Sequence, residues 1–132
     1  MPITKKKAAR AGANADFKAA FAGLKEIFQR HADKLTVLAD KPGNYTVLVK
    51  SVTYRGKPLW FGAVQIKKNY VSVHLLPLYM NPSLQKEISP ELKKRMQGKA
   101  CFNFTAPDEK LFRELAKLTA AGLKHFSALK SS

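Results

Sequence analysis

Residues of the kinds that hold metals or transfer protons are few in this sequence and lie far apart along it. The three histidines, His31, His74 and His125, belong to three separate segments. Metal sites built from histidine usually take two ligands a few residues apart on one element, so the sequence predicts no histidine metal site. His74 stands in a strand-forming run near Tyr70 and Ser72, and it is interpreted either as a structural residue of that strand or as part of a binding surface.

The sequence also offers a single thiol, because Cys101 is the only cysteine. Beside Phe102 in an apolar run it is interpreted as a small buried hydrophobic residue, and the alternative is a reactive thiolate favoured by Lys99. A lone cysteine excludes an intramolecular disulfide and the class of secreted disulfide scaffolds. No apolar stretch follows the basic start, and no run approaches the ~18 apolar residues of a membrane span. A cytoplasmic protein without membrane contact is the expectation.

Carboxylates supply most general acid–base pairs and most ligands of hard cations. None occurs between Lys41 and Lys86, and glycine-rich phosphate loops and nucleophile elbows are absent from the sequence. The sequence therefore predicts no catalytic residue, no metal and no cofactor. The acidic residues are Asp16, Glu26, Asp33, Asp40, Glu87, Glu91, Asp108, Glu109 and Glu114.

Net charge is the feature that points to a partner. The chain carries 24 lysines and arginines against 9 acidic residues, a formal charge of +15 at pH 7. Such a balance attracts polyanions, which favours a nucleic acid, another anionic ligand or an acidic protein as the partner. The alternative is that the lysines serve solubility alone.

A chain of 132 residues with 45% hydrophobic residues fits one globular domain. Residues 1–14 contain a basic cluster and one large apolar side chain, Ile3, so they are predicted to form a flexible basic N-terminal arm. This arm is interpreted either as a nucleic-acid contact or as a solvated end. Residues 15–132 are predicted to form a single α+β domain.

Helical spacing of Phe17, Phe21, Leu24 and Phe28 predicts a helix over about 16–32, and a second stripe predicts a helix after Asp108. Three strand-forming runs, 45–54, 57–67 and 70–78, are separated by two-residue turns. A short helix from Pro90 and a short strand over 100–104 follow. The predicted fold class is α+β: an antiparallel β-meander plus a fourth short strand, with the N- and C-terminal helices packed on one face.

The tight turns also predict which residues share a face of the sheet. A turn at Lys68-Asn69 places His74 opposite Ala63. One face is then nearly all apolar and should carry the helices; its members are Val47, Val49, Ser51, Trp60, Gly62, Val64, Ile66, Val71, Val73 and Leu75. The other face mixes apolar and polar residues: Leu48, Lys50, Val52, Leu59, Phe61, Ala63, Gln65, Lys67, Tyr70, Ser72, His74 and Leu76.

The mixed face is the candidate binding surface, either as a groove for an anionic ligand or as a homodimer interface. The alternative is that the short helix and its flanking loops cover its apolar half. The predicted ligand-binding residues are Lys50, Phe61, Lys67, Tyr70, Ser72 and His74.

Several stretches together resemble a known family. They are Gly56-Lys-Pro-Leu59, Lys68-Asn-Tyr-Val-Ser72, Ile88-Ser-Pro-Glu-Leu92, Gly98-Lys-Ala-Cys-Phe-Asn-Phe104 and Leu118-Thr-Ala-Ala-Gly122. From about Phe17 to Phe126 the chain resembles the YdhG-like domain-of-unknown-function family of small bacterial proteins. The resemblance implies an α+β fold with helices packed on an antiparallel sheet.

Some members of that family are discussed as frataxin-like iron chaperones, and the resemblance therefore implies iron delivery as an alternative function. An acidic ridge would be needed to hold the iron. The acidic group this chain could offer is Asp33, Asp40, Asp108, Glu109 and Glu114. The leading hypothesis from the residues themselves is a non-enzymatic cytoplasmic binding protein whose basic surface and mixed face engage an anionic ligand or partner.

Overall fold

The computed structural model describes the backbone of residues 5–129 and the side chains of residues 15–126 except 51, 52 and 54. Two long helices enclose the strands in chain order. The elements are α1 (Lys5–Gln29), β1 (Leu35–Lys41), β2 (Asn44–Tyr54), β3 (Lys57–Ile66), β4 (Val71–Leu75), α2 (Leu76–Met80), α3 (Pro82–Gln85), α4 (Pro90–Lys93), β5 (Met96–Gln97), β6 (Cys101–Phe104) and α5 (Glu109–Leu129).

The six strands form one antiparallel sheet in the order β1-β2-β3-β4-β6-β5. Helices α1 and α5 contact each other and pack on the same side of the sheet, α1 against β3 and α5 against β2. The predicted α+β class, with the N- and C-terminal helices on one face, is confirmed. The structure adds two edge strands, β1 and β5, that the sequence did not predict.

Helix α1 begins earlier than the apolar stripe indicated. Residues 5–14, predicted as part of a flexible arm, form its first turns, while residues 1–4 lie outside the described residues. The helix ends at Gln29, and its stripe packs inward through Phe21, Leu24 and Phe28, each at most 9% exposed. No helix within residues 5–129 is long and apolar enough to cross a membrane.

The three short helices lie beside α5 and not over the mixed face. Helices α2 and α3 contact α5, and a Cβ added to Gly122 of α5 would stand 2.5 Å from Cβ of Pro77. Pro77 also explains why the third predicted strand stops early. Proline cannot donate to a ladder but suits the first turn of a helix, so the chain turns into α2 after Leu75.

Both predicted hairpin turns are present. Arg55 and Gly56 have φ of 55° and 80°, the left-handed values that a tight two-residue turn needs. The pairing of Thr53 with Pro58 follows that turn, and the pairing of His74 with Ala63 follows the turn at Lys68-Asn69. The predicted register is therefore confirmed next to both turns.

Away from the first turn, the predicted register of β2 with β3 is wrong, because the pairing shifts between Leu48 and Thr53 and again, at a bulge in β3, between Val47 and Leu48. Val47 pairs with Gly62 but Leu48 pairs with Trp60, so Phe61 is left without a partner residue in β2. An extra residue reverses the inside–outside alternation beyond it. Phe61 is 0% exposed and Leu59 is 7% exposed, so the predicted placement of both on the mixed face is wrong.

Phe61 turns inward because the two long helices offer it aromatic partners. Its ring meets Phe28 of α1 at 5.9 Å and Phe126 of α5 at 5.8 Å, both edge to face. Gly62 beside it leaves room for the Phe28 ring, which would stand 2.9 Å from an added Cβ. As a consequence Trp60, predicted to face the helices, points to the opposite side.

Candidate functional site

The side of the sheet away from α1 and α5 is a continuous polar surface, which we call the open face. By strand alternation and register it is formed by Asn44, Thr46, Leu48 and Lys50 of β2, Trp60, Ala63 and Gln65 of β3, Ser72 and His74 of β4, Gln97 of β5, and Cys101 and Asn103 of β6. Lys41 and Lys67 continue it at one end.

Small side chains form the floor of the open face. Thr46, Ala63 and Ser72 stand on three neighbouring strands and are 9%, 6% and 7% exposed. Longer side chains stand next to them on the same face, since register pairs Gln65 with Ser72 and His74 with Ala63. The centre of the face is therefore shallow and lies below a rim of larger residues.

Amide and hydroxyl groups on this floor hold one another in place. Oδ1 of Asn44 accepts hydrogen bonds from Oγ1 of Thr46 at 3.0 Å and from Nε2 of Gln65 at 3.5 Å. On the other side Nδ2 of Asn103 donates to Oε1 of Gln97 at 2.8 Å. Two rotamer-rich amide pairs are thus oriented before any ligand arrives, which lowers the entropy cost of using their remaining donors and acceptors.

Cys101 belongs to this polar row and not to the core. Its Sγ lies 2.9 Å from Oγ of Ser72, and the side chain is half-buried. The prediction of a small buried hydrophobic residue is corrected, because β6 alternates and places Phe102 and Phe104 inward. The hydroxyl contact makes Cys101 a polar neighbour of the floor.

One aromatic pair stands on the two middle strands of the open face, β3 and β4. The rings of Trp60 and His74 meet at 5.6 Å with an angle of 67° between their planes. His74 is exposed and Trp60 is half-buried. One side of each ring is thus covered by the other, while part of the pair remains accessible to a ligand.

The contact with Trp60 also affects the charge of His74. Removal of water from one side of the imidazole lowers its pKa below the ordinary 6.5, and the positive charge of Lys67 lowers it further. Both effects favour the neutral form of His74. Since the folded chain binds this proton more weakly than the unfolded chain, its contribution to stability rises with pH.

We expect the His74 imidazole to titrate below 6.5 in an NMR pH titration, with its resonance assigned through His74→Gln. Lys67→Met should move the midpoint upward, because it removes the smaller of the two causes. A midpoint at or above 6.5 in the unmodified protein would contradict the packing against Trp60.

Positive charge on the open face is not cancelled locally. Strands β2 to β6 contain no acidic residue, and Lys50 and Lys67 are exposed. Register places His74 in one row with Ala63 and Thr46. Lys50 lies four residues along the chain from Thr46, and Lys67 lies four residues from Ala63 in the opposite direction. At ~3.3 Å per residue, the backbones of the two lysines stand about 13 Å to either side of that row. They bracket the aromatic pair.

A cleft continues the open face at the N-terminal end of β4. It is lined by Asn69, Tyr70, Lys94, Arg95, Met96, Gln97, Asn103 and Thr105. Tyr70 is half-buried there, and its carbonyl accepts a hydrogen bond from the Lys67 amide at 2.7 Å. Lys94 and Arg95 are exposed residues of this cleft, and the guanidinium of Arg95 lies over the Phe104 ring, 5.8 Å from its centroid.

Of the predicted ligand-binding residues, the structure gathers Lys50, Lys67, Tyr70, Ser72 and His74 on the open face or its margin, and it removes Phe61 to the core. The sequence prediction missed Trp60, Gln97 and Asn103. A signal for the missed bulge existed, because an isolated glycine in a strand run, here Gly62, is typical of a bulge or a close backbone approach.

The acidic residues that the iron alternative requires are dispersed in the structure. Asp40 pairs with Lys25 at 2.8 Å, Glu109 with Arg113 at 3.8 Å, and both oxygens of Glu114 accept hydrogen bonds from Ser89. Within the described part of the chain, no three His, Cys, Asp or Glu residues lie close enough to hold a metal ion.

Comparison with protein-family models, with curated proteins and with solved structures finds no match for this chain. Membership of the YdhG-like family therefore stays a prediction.

Proposed function

We propose that this protein is a binding protein that holds an anionic ligand or partner on the open face of its sheet. The observation that carries the proposal is the charge of that face: five successive strands without a carboxylate, with exposed lysines at both ends of a polar floor. Such a surface attracts negative groups and leaves amide and hydroxyl groups free to orient them.

The positions of the ion pairs favour the open face, and not another part of the surface, as the site of anion binding. Four ion pairs lie on α1, β1, α4 and α5 or, for Arg30, directly after α1: Lys25–Asp40, Arg30–Glu26, Lys110–Glu91 and Arg113–Glu109. On those elements positive charge is partly neutralised by acidic neighbours. Strands β2 to β6 contain no carboxylate of their own that could neutralise their lysines in the same way.

The same charge favours a ligand over a second copy of the chain on this face. A two-fold interface brings the same patch of both copies together. Two open faces would then bring the uncompensated lysines of both copies close to one another, and like charges juxtaposed across an interface are costly. The homodimer through the mixed face stays a prediction, and anion binding is the better-supported function.

Retention on immobilised heparin tests the proposal through two matched double variants. Lys50→Glu with Lys67→Glu reverses two charges on the open face, whereas Lys117→Glu with Lys124→Glu reverses two exposed charges on α5. Both change net charge equally. We expect the first variant to elute at clearly lower salt, with the salt dependence of log K falling by about 1 per lost contact.

Equal elution of the two double variants would remove the open face from the proposal. Failure of the unmodified protein to bind heparin at low salt would remove polyanion binding altogether. Thermal unfolding of each variant serves as the folding control.

A further inference from the structure

We infer that the anion held by the open face is a single-stranded nucleic acid, one of whose unpaired bases stacks on Trp60 beside His74. This inference rests on the proposed function and adds the chemical class of the ligand. It comes from the combination of a basic face with an accessible aromatic pair at its centre.

Trp60 is the residue that distinguishes this face from a merely basic one. It is the only tryptophan of the chain, it is half-buried on a mostly polar face where Leu48 is its partner in β2, and its ring contacts an exposed histidine. Partly exposed aromatic rings on positively charged surfaces are the stacking platforms on which proteins bind successive bases, because every base presents a π-face. Polyanions without bases, such as polysaccharides, offer charge to the lysines but no aromatic ring that could stack on Trp60.

The shape of the sheet favours single strands over duplexes. The major groove of a duplex admits one helix or a two-stranded ribbon, whereas the open face spans strands β2 to β6 and its floor is shallow. In a duplex the faces of the bases are covered by their neighbours. Only an unpaired base can therefore reach Trp60 across this surface.

The lysines and the amides supply the other contacts that a single strand needs. Lys50 and Lys67 lie on opposite sides of the Trp60–His74 pair, where they can meet phosphates before and after the stacked base. Register places one residue of each of four neighbouring strands in a single row: Asn44 of β2, Gln65 of β3, Ser72 of β4 and Asn103 of β6. Three of these four side chains are amides. Side-chain amides offer both donors and acceptors to the edges of unpaired bases.

The experiment uses the full chain and a dye-labelled 12-nucleotide oligothymidylate at low salt, read by fluorescence anisotropy. Trp60→Ala should weaken oligonucleotide binding by about 5- to 150-fold, the range found when a base-stacking aromatic is replaced by alanine. Trp60→Phe should recover most of the affinity, since it keeps an aromatic face. Tyr79→Ala is the matched control, because Tyr79 is an aromatic residue 66% exposed on α2, and it should leave affinity unchanged.

Two further readouts separate stacking from charge. In the unmodified protein the oligonucleotide should quench the Trp60 fluorescence, and a duplex of equal length should quench it far less. Heparin retention should be the same for Trp60→Ala and the unmodified protein, because heparin offers no base to stack. Circular dichroism confirms that each variant is folded.

The outcomes distinguish this inference from the proposed function. Heparin binding that depends on Lys50 and Lys67, together with equal oligonucleotide affinities for Trp60→Ala and Tyr79→Ala, would overturn base stacking and leave anion binding standing. Oligonucleotide binding no tighter than duplex binding would also overturn it. If the unmodified protein is not retained on heparin at low salt, both the proposed anion binding and the base stacking are overturned.

Discussion

Replacing Phe61 with alanine should lower the free energy of unfolding by about 3–5 kcal/mol. The ring is 0% exposed and lies between Phe28 of α1 and Phe126 of α5. Truncation would leave a cavity where both long helices meet the sheet, and close-packed interiors relax only partly around such a cavity. Denaturant unfolding with linear extrapolation measures the loss.

The matched control is Trp60→Ala, one residue earlier on the same strand. Trp60 is half-buried on the open face, so its truncation should cost less stability than that of Phe61 although the side chain is larger. A loss below about 1 kcal/mol for Phe61→Ala, or a larger loss for Trp60→Ala, would contradict the bulge at Phe61.

The position of Phe61 also changes how a homodimer could be tested. A lysine at position 61 would put an uncompensated charge into the core and unfold the domain, so a loss of dimers in that variant would carry no information about the sheet face. A homodimer through the sheet face should therefore be tested with substitutions on the open face, such as Lys50→Glu, which leave the core intact.

Glu114→Gln should lower the free energy of unfolding by about 1.5–3 kcal/mol, the range for hydrogen bonds to charged groups. Both carboxylate oxygens accept hydrogen bonds at 2.7 Å, from the amide and from the hydroxyl of Ser89. Ser89 in turn caps α4 by accepting from the Leu92 amide at 3.1 Å. The side chain of glutamine has one acceptor oxygen in place of two, so at most one of the hydrogen bonds from Ser89 can be kept and the link between α4 and α5 is weakened.

Glu109→Gln provides the comparison on the same helix. Its side chain is 90% exposed, and its ion pair with Arg113 spans 3.8 Å. Exposed pairs of this kind contribute little, so we expect a change within about 0.5 kcal/mol. Similar losses for the two variants in the same denaturation assay would show that Glu114 does not hold α4.

These contacts bear on the iron alternative as well. The Glu114 carboxylate holds α4, and Oδ1 of Asp108 accepts from the Leu111 amide at 3.1 Å at the start of α5. Both carboxylates therefore serve the fold in this structure. Delivery of iron by this group would require them to leave those partners.

Local patterns in the sequence determined much of the fold. The stripes of Phe21, Leu24 and Phe28 and of Leu111, Leu115 and Phe126 predicted the two long helices and their buried sides. The turn residues predicted both hairpins and the register beside them. These features depend on neighbours a few residues apart, through side-chain periodicity and turn geometry, so a single sequence contains them.

Strand β1 could not be predicted in the same way. Its exposed Val37 and Leu38, at 48% and 63%, break the alternation that marks a half-buried strand, and the register shifts between Val37 and Ala39. This edge strand exists because β2 supplies its hydrogen-bond partners. Pairing between segments is not visible in the residues of one segment alone.

The charge of the candidate site was determined by the sequence, and its aromatic centre by the tertiary structure. The absence of acidic residues from Lys41 to Lys86 sufficed to predict a positively charged sheet face with Lys50, Ser72 and His74. Which of Phe61 and Trp60 belongs to that face depended on a bulge that forms where Phe28 and Phe126 pack against β3. A one-residue shift reverses the sides of a strand, and only the packing of distant helices decides where that shift occurs.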